Sequence, residues 1–91
     1  MILPDFLSEW GFGEIVLTGH RVSLYHVVTS YLRGMDVEQL HDYYPTLEPD
    51  LIRKVLDFYS AHRAEVDRYV ARTRAVLEEL EAAAPRSKWH S

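Results

Sequence analysis

The sequence contains no cysteine. This absence excludes disulfide bonds, thiolate ligands for a metal and a cysteine nucleophile, and it fits a reducing compartment. The chain also lacks a long apolar run, because polar residues and a proline interrupt the N-terminal segment MILPDFLSEWGFGE, and this segment has no basic n-region. We therefore expect neither a signal peptide nor a membrane-spanning segment, and we predict a cytoplasmic protein.

Positive charge is also in short supply. Ten Lys and Arg residues face 14 Asp and Glu residues, which gives a net charge of −4. Such a chain does not attract nucleic acid by its overall charge. The 91 residues, 47% of them hydrophobic, suffice for one domain with a thin core. A thin core often gains stability from a partner, so we expect a homodimer or a complex.

Patterns typical of catalysis are missing as well. The chain has five histidines, and no two of them have the i, i+4 spacing of a metal-binding helix. Gly11 and Gly13 do not form a phosphate-binding loop, because the preceding strand and a following glycine are lacking. No nucleophile elbow is present. We therefore expect no enzyme activity, no cofactor and no metal site.

The segment EIVLTGHRV predicts two very short strands, at residues 14–17 and 21–22, around Thr18 and Gly19. Gly19 suits the left-handed position of the turn between them. An isolated two-stranded hairpin is marginally stable in water, so we expect these strands to pair with a further segment, from this chain or from another.

Three helix signals follow the strands. Ser23 is placed to cap a helix that Gly34 ends. Asp36 and Gln39 have the spacing of a capping box that opens a short helix through about Tyr43. Together they predict two short helices in succession.

The stretch YYPTLEPDLIRK has the pattern of a helix-turn-helix corner. Pro45 stops one helix at Tyr44, and Pro49 suits the first position of the next. Arg53 and Lys54 on the second helix, with Thr46 in the turn, are the predicted DNA contacts. The same pattern also describes any small helical bundle. Two acids, Asp50 and Asp57, also face outward on the second helix, and Asp50 would repel a phosphate group near the start of that helix.

A longer helix is predicted after a break near residues 60–62, from Ala64 to about Ala83, with Pro85 ending it. Its apolar positions repeat at heptad spacing, and arginines accompany them. The predicted partner-binding residues are Val66, Val70, Arg72, Thr73, Arg74, Leu77, Leu80 and Arg86. We therefore divide the single domain into a core (1–63) and a partner-binding arm with its tail (64–91). The alternative is a solvated helix face held by ion pairs.

Residues 19–70 resemble the family catalogued as domain of unknown function 433. The resemblance rests on a G-x-R-V-S opening, a Gly-Met step after the first helix, and a YP-x-L-x-P-x-x-I segment. These marks are Gly19, Arg21, Val22, Ser23, Gly34, Met35, Tyr44, Pro45, Leu47, Pro49 and Ile52. Two features depart from the family: GFGEIVL replaces a Gly-Lys-Pro segment, and Glu48 replaces Thr or Ser before Pro49.

This resemblance implies a mainly helical fold with a homeodomain-like or winged helix-turn-helix core, short N-terminal strands and a long C-terminal helix. It further implies a dimer that serves as the antitoxin of a bacterial type II toxin–antitoxin pair. The toxin would be a PIN-like ribonuclease, and the complex would repress its own operon by binding operator DNA. A stand-alone dimeric DNA-binding regulator and a homodimeric interaction module remain the alternatives.

Overall fold

The N-terminal residues form a two-stranded antiparallel sheet in the computed structural model, which describes residues 2–83 apart from the side chains of Phe12 and Ala83. Strand β1 (Leu7–Glu9) pairs with strand β2 (Ile15–Leu17), and Leu7 lies opposite Leu17. A 3-10 turn (Gly11–Gly13) joins them. Both Leu7 and Leu17 are buried, so the sheet covers one side of the core.

The pairing of β2 differs from the predicted one. Residues 15–17 form a strand as expected, but their mate is β1 rather than residues 21–22. The predicted hairpin survives as one bridge between Val16 and Ser23 and as a hydrogen bond from the Leu17 N–H to the Val22 carbonyl oxygen (2.9 Å). Because the chain enters a helix directly after Ser23, the pairing cannot extend beyond these contacts. The mate belongs to the same chain, so a second chain is not required to complete the sheet.

Helices α1 (Leu24–Leu32) and α2 (Val37–Tyr43) begin at the predicted caps. The Ser23 Oγ accepts a hydrogen bond from the His26 N–H at 3.2 Å. Asp36 and Gln39 exchange two side-chain-to-backbone hydrogen bonds of 2.9 Å each, which completes the capping box. Each bond satisfies a backbone donor that the first turn of a helix leaves open.

The helix-turn-helix corner lies between α2 and α3 (Pro49–Ala61). Leu47 and Ile52 are both fully buried, so the turn is anchored from within. The His41 Nδ1 lies 2.7 Å from the Leu47 carbonyl oxygen and donates its proton to it. Glu48 makes no capping hydrogen bond through its side chain, and glutamate is not among the residues preferred at the N-cap.

Helix α4 (Arg63–Ala83) starts after a break at His62, where the sequence predicted one. The Tyr59 hydroxyl donates a hydrogen bond to an Asp67 carboxylate oxygen across this break (2.7 Å), and the Arg63 guanidinium lies 5.5 Å from the centre of the Tyr59 ring. These contacts tie the start of α4 to the end of α3. The predicted helix end at Pro85 lies outside the described residues.

One apolar cluster unites the sheet with all four helices. Its buried members are Leu7, Ile15, Leu17, Leu24, Val27, Val28, Leu40, Leu47, Ile52, Val55, Phe58, Tyr59, Val66, Tyr69 and Val70. The last three come from α4, whose first two turns therefore belong to the core. The exposed part of the predicted arm is shorter than residues 64–91, because it begins only after Val70.

Candidate interaction surfaces

The predicted DNA contacts on α3 are exposed but electrostatically balanced. The Arg53 Nη1 lies 2.9 Å from an Asp50 carboxylate oxygen, and both side chains are largely in solvent. Such an exposed pair contributes little to stability, yet it offsets the positive charge that a phosphate group would meet. Thr46 is exposed in the turn, and Asp57 is exposed one turn after Arg53. The exposed residues of α3 therefore include two acids, Asp50 and Asp57, as well as the two bases Arg53 and Lys54.

Lys54 faces different surroundings from Arg53. It lines a groove with Asp5, Phe6 and Thr18, at the side of the N-terminal segment. An exposed acid, Asp5, thus lies in the same groove as the lysine. The two cations do not form one joint anion-binding surface.

The residues of the sequence motif mostly define the backbone. Gly19 (φ +81°) and Gly34 (φ +103°) adopt left-handed conformations, and a Cβ atom at either position would meet no neighbour within 4 Å. Backbone angle, rather than close packing, therefore explains both glycines. Pro49 opens α3 and Tyr44 caps α2, while Pro45 is exposed.

Arg21 differs from the other motif residues because its side chain is exposed. It lines a shallow pocket of 240 Å³ on the hairpin beside Trp10 and His20.

The predicted partner-binding residues of α4 divide into two sets. Val66 (0% exposed) and Val70 (6% exposed) are core residues and are not available to a partner in this fold. Thr73 is half-buried. Leu77 and Leu80 are 45% and 63% exposed, and they are available to a partner. The apolar heptad positions are therefore buried in the core near the start of α4 and exposed near its end.

The sequence prediction missed one exposed apolar residue on α4. Val76 is 49% exposed. It falls outside the heptad count, but helical periodicity places it near Leu77 and Leu80. We call Thr73, Val76, Leu77 and Leu80 the apolar stripe. A search at 3.6-residue spacing, rather than strict heptads, would have found Val76.

Arginines lie beside the stripe. Arg72 and Arg74 are both exposed. Arg72 also lines a cleft of 290 Å³ at the base of the exposed half, together with Arg68 and the acids Glu9 and Glu65. Arg86 lies outside the described residues.

The buried tyrosine of α4 was also missed by the prediction. The Tyr69 hydroxyl lies 3.3 Å from the Ile15 carbonyl oxygen and 3.4 Å from the Ile15 nitrogen, so it both donates to and accepts from the backbone of β2. Burial raises the pKa of Tyr69 above its ordinary value, and the hydroxyl stays protonated at neutral pH. Its role is to hold α4 against the sheet.

Burial likewise raises the pKa of Tyr59, and the hydrogen bond to Asp67 adds to the effect. Within residues 2–83, no group of three or more His, Asp or Glu side chains is placed to hold a metal ion. No helix in this part of the chain combines the length and the apolar character needed to cross a membrane. The candidate interaction surfaces are the exposed residues of α3 and the exposed half of α4.

Comparison with protein families supports the resemblance seen in the sequence. The family model described as "Protein of unknown function (DUF433)" matches residues 8–59. The match begins in β1 and ends within α3, so it spans more than half of the chain and leaves α4 outside. No curated protein and no solved structure matches the chain.

Proposed function

This chain belongs to the DUF433 family, and from that premise we propose that it is a non-enzymatic, antitoxin-like protein that binds and neutralises a PIN-like ribonuclease. The binding element is the exposed half of α4, residues 71–83. Repression of its own operon through operator DNA is a secondary activity. The observation that carries the proposal is the apolar stripe, which lies on a helix end that extends beyond the core.

The shape of the molecule supports a projecting arm. Helix α4 has 21 residues and is about 31 Å long at ~1.5 Å per residue. The radius of gyration is 14.6 Å, whereas a compact chain of this size has about 12 Å. A helix end of this length is not stable alone in water, so docking on a partner would supply the missing stabilisation.

The stripe offers apolar contact to such a partner. Single exposed apolar residues are common on protein surfaces, but Val76, Leu77 and Leu80 recur on one helix within five residues. Full burial of each side chain would contribute roughly 1.5–3 kcal/mol before the entropic cost of association. An amphipathic helix that docks in an apolar groove uses anchors at such spacing.

The arginines offer a complement to an acidic partner. Arg72 and Arg74 are exposed near the start of the stripe. The resemblance implies that the ribonuclease has an acidic, metal-binding active site, and guanidinium groups pair with carboxylates through two hydrogen bonds. Arg72 and Arg74 would reach this site while the stripe packs beside it.

Prediction for the stripe: the double variant Leu77→Asp, Leu80→Asp should lose ribonuclease binding, because two carboxylates would be buried at the interface. Leu32→Asp is the matched control, because Leu32 is 50% exposed and belongs to the end of α1, not to α4. The measurement is co-purification with, and growth rescue from, a co-expressed nuclease encoded beside this gene. If the double variant neutralises the nuclease as well as the control does, the arm is not the binding element.

A truncation tests the same assignment without new charges. A deletion from residue 64 would remove Val66, Tyr69 and Val70 from the core, so the deletion should begin at residue 74. Thermal unfolding monitored by circular dichroism should stay close to that of the full chain, while nuclease binding is lost. A truncated chain that is folded and still neutralises the nuclease would contradict the proposal.

The second candidate function is a dimeric DNA-binding regulator that acts without a toxin. The observation in its favour is the exposure of Thr46, Arg53 and Lys54 around the helix-turn-helix corner. The Asp50–Arg53 pair and the net charge of −4 argue for weak, salt-sensitive binding.

Prediction for the corner: Arg53→Ala with Lys54→Ala should weaken operator binding and reduce its dependence on salt concentration. Arg33→Ala is the control, because Arg33 is exposed at the end of α1, outside the corner. Fluorescence anisotropy with promoter DNA over a range of salt concentrations measures both quantities. Equal binding by the double variant and the control removes α3 as the DNA-reading helix.

A further inference from the structure

Charge is distributed unevenly along the exposed half of α4. Arg72 and Arg74 lie at its beginning, whereas Glu78, Glu79 and Glu81 lie at its end, and all five side chains are exposed. The apolar stripe runs along the helix from the arginines to the glutamates, with Thr73 beside Arg72 and Arg74 and Leu80 beside Glu79 and Glu81. A surface with cations at one end and anions at the other is complementary to a copy of itself that runs in the opposite direction.

We propose that the exposed halves of α4 from two copies of this chain pair with each other in antiparallel orientation, and that this pairing covers the apolar stripe. A two-fold axis near Leu77 and Leu80 relates the copies. Such an interface presents the same surface from each side, so each contact occurs twice. Leu77 of one copy packs against Leu80 of the other.

The flanking charges select the antiparallel orientation. Arg74 and Glu81 are seven residues apart, one heptad, so they lie on the same side of the stripe and are too far apart to meet within one helix. In an antiparallel pair, the same side of each helix faces its counterpart on the other helix. Arg74 of each copy therefore lies beside Glu81 of the other. Within residues 2–83, neither side chain forms an ion pair that would compete.

A parallel pair lacks this complementarity. It would place the side of Arg74 and Glu81 against the opposite side of the second helix, which carries Tyr69 and Val76. Charged groups would then face uncharged ones, while groups of like charge would lie at equal heights along the two helices. The antiparallel pair is therefore favoured over the parallel one.

The pairing limits the surface that a ribonuclease can reach. Only this consequence depends on the proposed function: a chain paired with its copy must dissociate before the stripe can bind another protein. The contact between two helix ends, each roughly 20 Å long, is small, so the pair is expected to dissociate readily. Self-association and ribonuclease binding would thus compete for one surface.

The test uses two charge-reversal variants and no ribonuclease, so its outcome is independent of the proposed function. Arg74→Glu alone and Glu81→Arg alone should each weaken self-association by about tenfold, because like charges replace opposite ones at two symmetric places. Mixed together, the two variants should form a heterodimer in preference to either homodimer, because two opposite-charge pairs are then present: the original pair of Arg74 with Glu81, and a second pair in which the charges are exchanged.

Native mass spectrometry and sedimentation equilibrium on the full-length chains measure these species. The control mixture is Arg33→Glu with Glu38→Arg, two exposed positions outside α4 with the same change of charge, and it should show no preference. Leu80→Asp should give a monomer with unchanged thermal unfolding of the core. A wild-type chain that stays monomeric up to about 1 mM, or a mixture without preferred heterodimers, would overturn the proposal.

Discussion

The two halves of α4 follow the same apolar spacing but have opposite surroundings. In the first half, Val66 and Val70 are buried with Tyr69 in the core. In the second half, Leu77 and Leu80 project into solvent. One helix therefore contains both a buried segment and an exposed segment, and the same sequence pattern runs through both.

The difference arises from what lies opposite each half. The first half packs against α1 and α3, and Tyr69 binds the backbone of β2. The second half extends beyond those elements. The spacing of apolar residues along a helix shows which face is apolar. The length of the neighbouring elements determines how much of that face is buried.

The largest difference between the halves should be seen in folding stability. Val66→Ala should lower the free energy of unfolding by about 2 kcal/mol, because it removes two buried methyl groups and leaves a cavity. Leu77→Ala removes more carbon atoms but should change the free energy by less than about 0.5 kcal/mol, because its site is exposed. Urea unfolding of both variants measures the contrast. Equal losses would mean that the second half is part of the cooperative core.

A smaller effect should follow from the loss of the tyrosine hydroxyl. Tyr69→Phe should lower the free energy of unfolding by about 1 kcal/mol, because the Ile15 backbone loses its partner in a buried site. Tyr43→Phe is the control, because Tyr43 is 67% exposed. If both variants unfold at the same urea concentration, the hydroxyl does not anchor α4.

Alkaline pH offers a second measurement of the same contact. The pKa of Tyr69 is raised in the folded chain from its ordinary value of 10.0. The unfolded chain therefore loses this proton first, so the contribution of Tyr69 to stability should be constant below about pH 10 and fall as pH rises further. Tyr69→Phe should reduce the slope of this fall, and Tyr43→Phe is the matched control. If Tyr69→Phe loses stability with pH as steeply as the unsubstituted chain, groups other than Tyr69 cause the loss of stability at alkaline pH.

Local signals in the sequence predicted most of the helix boundaries. Ser23, Asp36 and Pro49 act within one turn of chain, so their effects do not depend on distant residues. The break at His62 was also visible, because the apolar pattern changes phase there. The family resemblance agrees with the matched model.

Features that depend on distant residues were not predicted. The pairing of β2 with β1 is not encoded in the turn at Gly19, and the contact between Tyr69 and Ile15 spans 54 positions in the chain. For the candidate site, heptad spacing located Leu77 and Leu80 but could not show that Val66 and Val70 are buried. The Asp50–Arg53 pair, at i, i+3 spacing, was within reach of sequence reasoning.

The single-residue break at His62 has a mechanical consequence. Because α3 and α4 are separated by one residue and joined by the Tyr59–Asp67 hydrogen bond, the direction of the arm is set by the orientation of α3. The two helices therefore behave as one rigid unit with a fixed bend. Two macromolecules held at its opposite ends would keep a constant angle to one another, and geometry alone would determine whether both fit at once.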